Sequence, residues 1–345
     1  MSFTLTDKTK LRVSTWNVGT LKRRSAEVIE TLTRRKVDLC CVQEHRWAGG
    51  LLTNQVRWLK GKDSRMKFFW CGNSEGTGGV GILLAEKWSE KVHDVVRISD
   101  RILLLKLVIG KNVFTFVSLY APQVNRDVAD RDRFYDQLQS AVMKVPASEV
   151  LFFLGDWNGH VGADAVDYEE VHGGHGFGKR NPPGDRILEF AQANDLLVGN
   201  TQFIKRESHL VTYESGDGRT QIDYVLYRKS YQRSVTDVKV IPGEECTTQH
   251  FLLVCDFVVC CPPVKKRKFV PRLRSWKLRD PVLASEFHRS FKEKVAATAQ
   301  SKESSSPEMA WSNLKTPLME AAAQVCGFSR KHQWKRQTWW WNERV

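Results

Sequence analysis

Missing from this sequence is any apolar run long enough for a membrane helix. The richest stretches, Ile102 to Ile109 and Phe251 to Cys261, fall well short of about 20 residues and are interrupted by Lys106 and Asp256. The opening MSFTLTDKTK has no apolar core of the kind a secretory signal needs. The expectation is a chain that is not secreted, has no membrane partner and keeps its eight cysteines reduced. No C-x2-C pair occurs. The adjacent pairs Cys40-Cys41 and Cys260-Cys261 suit neither a disulfide frame nor a zinc site, and they read as buried strand residues. Internal repeats are also lacking. Apolar residues are not: 41% hydrophobic and 10% aromatic in 345 residues exclude wholesale disorder and suit one large domain or two ordinary ones.

Acidic residues are the minority charge, 39 against 53 Lys and Arg, which leaves a net charge of +14. A basic protein of this size often binds a polyanion. The excess is concentrated. From residue 263 to the end there are 18 basic and 7 acidic residues, net +11, so the first 262 residues carry only +3.

Short β-type runs fill those first 262 residues. They are LRVSTW from Leu11, VDLCCVQ from Val37, KFFWC from Lys67, GVGILLA from Gly79, RILLLKLVI from Arg101, NVFTFVSLYAP from Asn112, VLFFLGD from Val150, QIDYVLY from Gln221 and FLLVCDFVV from Phe251. Each is β-branched or aromatic and bounded by turn residues. Helical spacing appears at Ser25 to Arg35, with Ser25 as the expected cap, at Asp127 to Val145 and at Asp185 to Asn194. Continuous apolar strands between helical segments predict an α/β domain of two sheets packed face to face with helices outside. After Cys261 the character changes. Eight of the fifteen residues from Lys265 to Arg279 are basic, helices are expected near Leu283 to Ala299 and Met309 to Cys326, and six of the twelve Trp follow residue 262. The expected division is a catalytic domain over 1–262, a basic linker over 263–280 and a partly helical, Trp-containing tail over 281–345.

Polar residues recur where the apolar runs end. Asn17 follows the first run and Glu44 the second; Tyr120 ends the NVFTFVSLYAP run; Asp156 and Asn158 sit in Gly155-Asp156-Trp157-Asn158; Asp223 lies in Ile222-Asp223-Tyr224; His250 opens the last run. Singly, each has an ordinary reading, since an Asp at a strand end is commonly a turn former or helix cap. Their order is more informative.

WN, QE, YxP, GDxN, a buried IDY-type Asp and a final xH occur in the order found in the endonuclease/exonuclease/phosphatase superfamily, which the first 262 residues resemble. The wording STWNVGTL, VDLCCVQEHRW, FFLGDWNGHVG, ANDLLVGNT and QIDYVLY is closer to RTE-type non-LTR retrotransposon endonucleases and craniofacial development protein 2-like proteins. The resemblance implies a four-layered, deoxyribonuclease I-like α/β sandwich that hydrolyses a phosphodiester of DNA. It implies Glu44 and Asn17 at a Mg²⁺ site that could also take Mn²⁺, Asp156 orienting or deprotonating water, Asn158 bonding the phosphate, Asp223 holding His250 as a donor, and Tyr120 offering its hydroxyl. TWWWNERV resembles the linker that precedes a reverse transcriptase in complete elements. Gln249 stands where many members carry Asp, and Gly19 where apurinic endonucleases tend to be acidic, so the resemblance leaves the metal count open.

Further contacts to DNA are expected from Arg180 and Asn181, at the end of a Gly-rich stretch read as mobile, and from Arg219 in a Ser215–Arg219 hairpin. The run Lys265-Lys266-Arg267-Lys268 reads as a nuclear localisation signal, a nucleic-acid grip or a solvated face. The expected function is a nuclear DNA endonuclease that nicks its target. Alternatives are an abasic-site repair endonuclease or a non-catalytic, domesticated nucleic-acid-binding remnant.

Overall fold

β-branched and aromatic runs become strands here because both of their faces find apolar cover. The computed structural model describes residues 8–49, 55–243, 248–260, 273, 275–299 and 307–328. In chain order its elements are β1 (Lys8–Asn17), α1 (Ser25–Arg34), β2 (Leu39–Gln43), β3 (Val56–Lys60), β4 (Arg65–Cys71), β5 (Val80–Ala85), β6 (Val92–Ser99), β7 (Ile102–Ile109), β8 (Asn112–Tyr120), α2 (Val128–Met143), β9 (Val150–Asp156), α3 (Pro182–Ala193) and β10 (Leu196–Val198). There follow β11 (Tyr213–Ser215), β12 (Gly218–Thr220), β13 (Asp223–Arg228), β14 (Val235–Ile241), β15 (Leu252–Cys260), α4 (Pro281–Ala299) and α5 (Pro307–Cys326).

Two mixed sheets form the centre. One has seven strands in the order β14-β15-β1-β2-β5-β4-β3 and the other six in the order β10-β13-β9-β8-β7-β6. Alternation along each strand sorts its side chains by layer. Leu11, Val13, Phe116, Phe152, Leu154 and Phe257 face the space between the sheets. Trp16, Cys40 and Val42 face outward onto Val28, Ile29 and Leu32 of α1. Leu151 and Phe153 face outward onto Phe134 and Leu138 of α2 and Ile187 and Leu188 of α3. The result is four layers, helix, sheet, sheet, helix. Each fully buried Leu or Phe contributes about 1.5–3 kcal/mol, and the inter-sheet core is the largest of the three buried clusters.

Each sheet has one parallel pair near its middle. β1 runs parallel to β2 with Asn17 opposite Gln43, and β8 runs parallel to β9 with Tyr120 opposite Asp156. β13 enters antiparallel with Asp223 also opposite Asp156. Register therefore gathers the polar residues that end these strands.

Helix starts differ from the sequence reading. Ser25 is the first residue of α1 and not its cap; Arg24 holds that place with no side-chain cap bond. α3 begins at Pro182, three residues early, because a proline fits the first helical position and Asn181 caps the helix by accepting from Gly184 N–H at 2.9 Å.

The chain divides into two compact units, residues 1–263 and 264–345. In the second, α4 and α5 pack on each other around Ala321 and Cys326, and Ser290 Oγ donates to Gln324 Oε1 at 3.3 Å. Among the described residues no helix is long and apolar enough to cross a membrane.

Candidate active site

Asn17, at the end of β1, is nearly inaccessible to solvent, and its amide nitrogen donates twice. It reaches Glu44 Oε1 at 3.0 Å and Asp156 Oδ2 at 3.1 Å, which ties a residue of one sheet to a carboxylate of the other. Its oxygen accepts from Gly19 N–H at 3.1 Å. The oxygen that a metal would need is thus turned away from the two carboxylates, and Asn17 orients them both.

Glu44 follows β2 with φ at 54°, a left-handed backbone that costs an L residue on the order of 1–2 kcal/mol. The Glu44 and Arg46 N–H groups donate to Gly79 O and Gly78 O, both at 2.9 Å, and hold that conformation. Tyr120 Oη donates to Glu44 Oε1 at 2.9 Å and Arg46 Nη2 to Oε2 at 3.0 Å. Burial pushes the Glu44 carboxyl upward, but the bonds from Asn17, Arg46 and Tyr120 outweigh it and hold the group below its ordinary range. Burial, and then the charges of Glu44 and Asp156, raise the Tyr120 phenol, which therefore stays a donor.

Asp156 ends β9 and is buried. One oxygen accepts from Asn158 N–H at 3.1 Å; the other lies 3.8 Å from His250 Nε2. Burial and the charge of Asp223 push its carboxyl up to about 7. His250 Nδ1 donates to Asp223 Oδ2 at 2.9 Å. Burial lowers the imidazole, but Asp223, Asp156 and Glu44 together raise it to about 9. Asp156, Asp223 and His250 bring their ligand-type atoms within 4.8 Å of one another. The three side chains form a buried cluster of a kind that could hold a cation. Asn158 has φ at 50° and spends one amide hydrogen on Ala121 O at 2.8 Å, leaving a second for another acceptor.

Two cavities meet at this cluster. One of about 470 Å³ is lined by Glu44, Asp156, Asn158, Tyr213, Gln249 and His250 among others. The other, of about 570 Å³, lies against Glu44 and Tyr120 and carries Arg46, Arg101 and Arg126.

Supporting residues escaped the sequence reading. Thr248 Oγ1 donates to Asn17 O at 2.9 Å and accepts from His250 N–H at 3.2 Å, while Trp16 Nε1 donates to His250 O at 3.0 Å. Thr212 Oγ1 accepts from the Ile222 and Asp223 N–H groups. Arg46 stands in the quoted QEHRW wording, but no spacing rule marks it as a partner of Glu44.

The outlying expectations fare differently. The stretch before Asn181 is not free: Gly176 runs so close to Gly162 that a Cβ there would lie 1.9 Å from Gly162 O, and Gly162 bridges Phe177. Gly173 and Gly176 serve close backbone contact, while Gly174 and Gly178 hold a positive φ. Asn181 accepts from His160 N–H and Gly184 N–H as the cap of α3. Arg180 pairs with Asp185 at 3.0 Å, donates to Val166 O and stacks on Tyr168. Arg219 lies in the expected hairpin, β11–β12, and pairs with Glu207 and Glu214. Lys265, Lys266, Arg267 and Lys268 lie outside the described residues.

Two face-to-face mixed sheets with flanking helices and this polar cluster at the ends of the central strands define the deoxyribonuclease I-like class of α/β sandwich. Residues 14–248 match the Endonuclease/Exonuclease/phosphatase family, and the chain belongs to that family of phosphodiesterases and nucleases. Craniofacial development protein 2 of Bos taurus is 28% identical over 278 residues, which cover 77% of this chain and 44% of that protein; the chain spans less than half of its relative's length. Among solved structures, the endonuclease domain of TRAS1, a telomere-specific non-LTR retrotransposon, aligns with 72% of this chain and 98% of its own at 16% identity and a TM-score of 0.51. The AP endonuclease LMAP from Leishmania major aligns over 72% and 87% at 12% identity and a TM-score of 0.53. These two likenesses are of fold.

Proposed function

We propose that this chain is a divalent-metal-dependent endonuclease that nicks DNA as retrotransposon endonucleases do. The observation that carries the reading is the Asn17 amide bonded to both Glu44 and Asp156, with His250 Nε2 3.8 Å from the same Asp156 oxygen. An acceptor for water, a donor for phosphate and an ionised carboxylate thus share one cleft.

Glu44 suits a hard cation. Its carboxylate is held ionised, offers oxygen only and lines both cavities, so Mg²⁺, or Mn²⁺ in its place, would be held there with Asn17 and Tyr120 aligning the carboxylate. When bound, the cation neutralises charge on the phosphate undergoing attack. Asp156 orients the attacking water and accepts its proton. The His250 imidazolium, held by Asp223, donates to a phosphoryl oxygen, as do the free Asn158 amide hydrogen and Tyr120 Oη once it leaves Glu44. The product is a 3′-hydroxyl and a 5′-phosphate, with no covalent intermediate. Arg46, Arg101 and Arg126 on the other side of Glu44 favour a polyanionic substrate. The basic run from Lys265 supports a nuclear site of action, and the Trp339–Val345 wording supports a reverse transcriptase partner in a longer, element-encoded protein.

Supercoiled plasmid nicking with Mg²⁺ against EDTA, comparing wild type with Asp156→Ala, tests the reading. The expected outcome is Mg²⁺-dependent nicking that Asp156→Ala lowers by at least about 10²-fold. Equal, metal-independent behaviour of the two proteins would sink it. A strong preference for an abasic oligonucleotide over intact plasmid would favour repair instead.

A further inference from the structure

Gln249 immediately precedes His250, yet its side chain turns away from the carboxylates. Its Oε1 accepts from Tyr213 Oη at 3.3 Å and its Nε2 donates to Ser215 Oγ at 2.9 Å. Both partners belong to β11. The backbone runs the same way. Glu214 N–H donates to Gln249 O at 2.9 Å, Phe251 N–H donates to Thr212 O at 2.8 Å, and Tyr213 bridges His250 antiparallel. Residues 249–251 therefore extend the β11–β12 hairpin by a third, short edge. On that edge the Tyr213 ring meets the His250 imidazole side-on, with centroids 4.8 Å apart. Tyr213, Thr220, Gln249 and His250 share the wall of the 470 Å³ cavity.

The chemistry of the position fits a fastening. One atom must accept from a phenol and another must meet a serine hydroxyl one residue beyond Glu214, which takes a side chain of glutamine length. A glutamate spans the same distance and can accept from both hydroxyls. Aspartate is shorter by one methylene.

We propose that Gln249 is a positioning residue: it fastens the β11–β12 hairpin to the strand that carries His250, so that Tyr213 stays against the imidazole and keeps it in place. This rests on the endonuclease reading above for its kinetic consequence, but not for its structural one.

Gln249 is exposed, so its variants should fold. In the full chain, the His250 ring-proton resonance is followed by NMR alongside nicking kinetics for Gln249→Ala, Gln249→Asp and Gln249→Glu. Gln249→Ala should move the His250 resonance, which feels the ring current of Tyr213, and lower kcat about tenfold while KM stays within about threefold. Gln249→Glu should restore both, and Gln249→Asp neither. An unmoved resonance in Gln249→Ala overturns the fastening. So does a Gln249→Asp variant as active as wild type, because the position would then serve as a carboxylate. The resonance needs no turnover: if no form nicks DNA, the endonuclease reading fails while the fastening is still decided.

Discussion

Burial alone would strip His250 of its proton; its neighbours decide otherwise. Asp223 at 2.9 Å, with Asp156 and Glu44 behind it, raises the imidazole to about 9 against an ordinary value near 6.5. A pKa raised on folding stabilises the fold fully below the unfolded value, and that stabilisation is lost as pH rises through about 9. Asp223→Asn removes the largest favourable partner and leaves burial in place. The His250 midpoint should then fall from about 9 to the ordinary value or below it, and the stability slope between pH 6.5 and 9 should flatten. An NMR titration of His250 checks this, and an unchanged midpoint would show that the pair is not the source. At this scale the sequence exposes residue types but not directions. Asp156, Asp223 and His250 were legible as polar ends of apolar runs. That Asn17 turns its nitrogen to Asp156, that Thr248 reaches the Asn17 carbonyl and that Trp16 holds the His250 backbone depends on contacts spanning 139, 231 and 234 residues. No local pattern encodes these.

Elements were legible in proportion to their burial. The nine apolar runs appear as strands, whereas β3, β6, β10 and β14 were not anticipated, and these four are the edges of the two large sheets. A central strand is covered on both faces and reads as continuous hydrophobicity. Edge strands carry charge or are short, as in VHDVVRIS of β6 and VTDVKVI of β14, which blunts pairing with other chains and also hides the period. The parallel pair β8 and β9 sets the site from beneath. Gly155 faces Leu119 in that register, and a Cβ there would lie 2.1 Å from Leu119 O. Gly155→Ala must push the two strands apart next to Tyr120 and Asp156. The expected cost is about 1–3 kcal/mol in denaturant unfolding. Nicking should fall about 10²-fold even where the variant is folded. A variant with wild-type stability and activity would show that the ladder yields locally without moving the site.

Over the whole molecule, charge and chemistry are held by different stretches of chain. The first 262 residues carry +3, which accommodates the neighbouring carboxylates Glu44, Asp156 and Asp223, while residues 263 to 345 carry +11. A site that must hold a cation cannot also be lined throughout by lysine and arginine, because neighbouring positive charge would compete for the same carboxylates, as Arg46 does at Glu44. Long-range attraction for a polyanion is then better carried by a separate stretch of chain, which raises encounter without adding positive charge among these carboxylates. The basic run Lys265-Lys266-Arg267-Lys268 should therefore act on affinity and not on turnover. Changing all four to Gln in the full chain should flatten the log-log dependence of DNA affinity on salt by about 3 to 4 if each meets a phosphate. The single-turnover nicking rate at saturating DNA and low salt should stay within about twofold. Fluorescence anisotropy at several salt concentrations measures the slope. A slope unchanged by the four substitutions would mean that these charges are solvated and that the cleft arginines carry the grip alone.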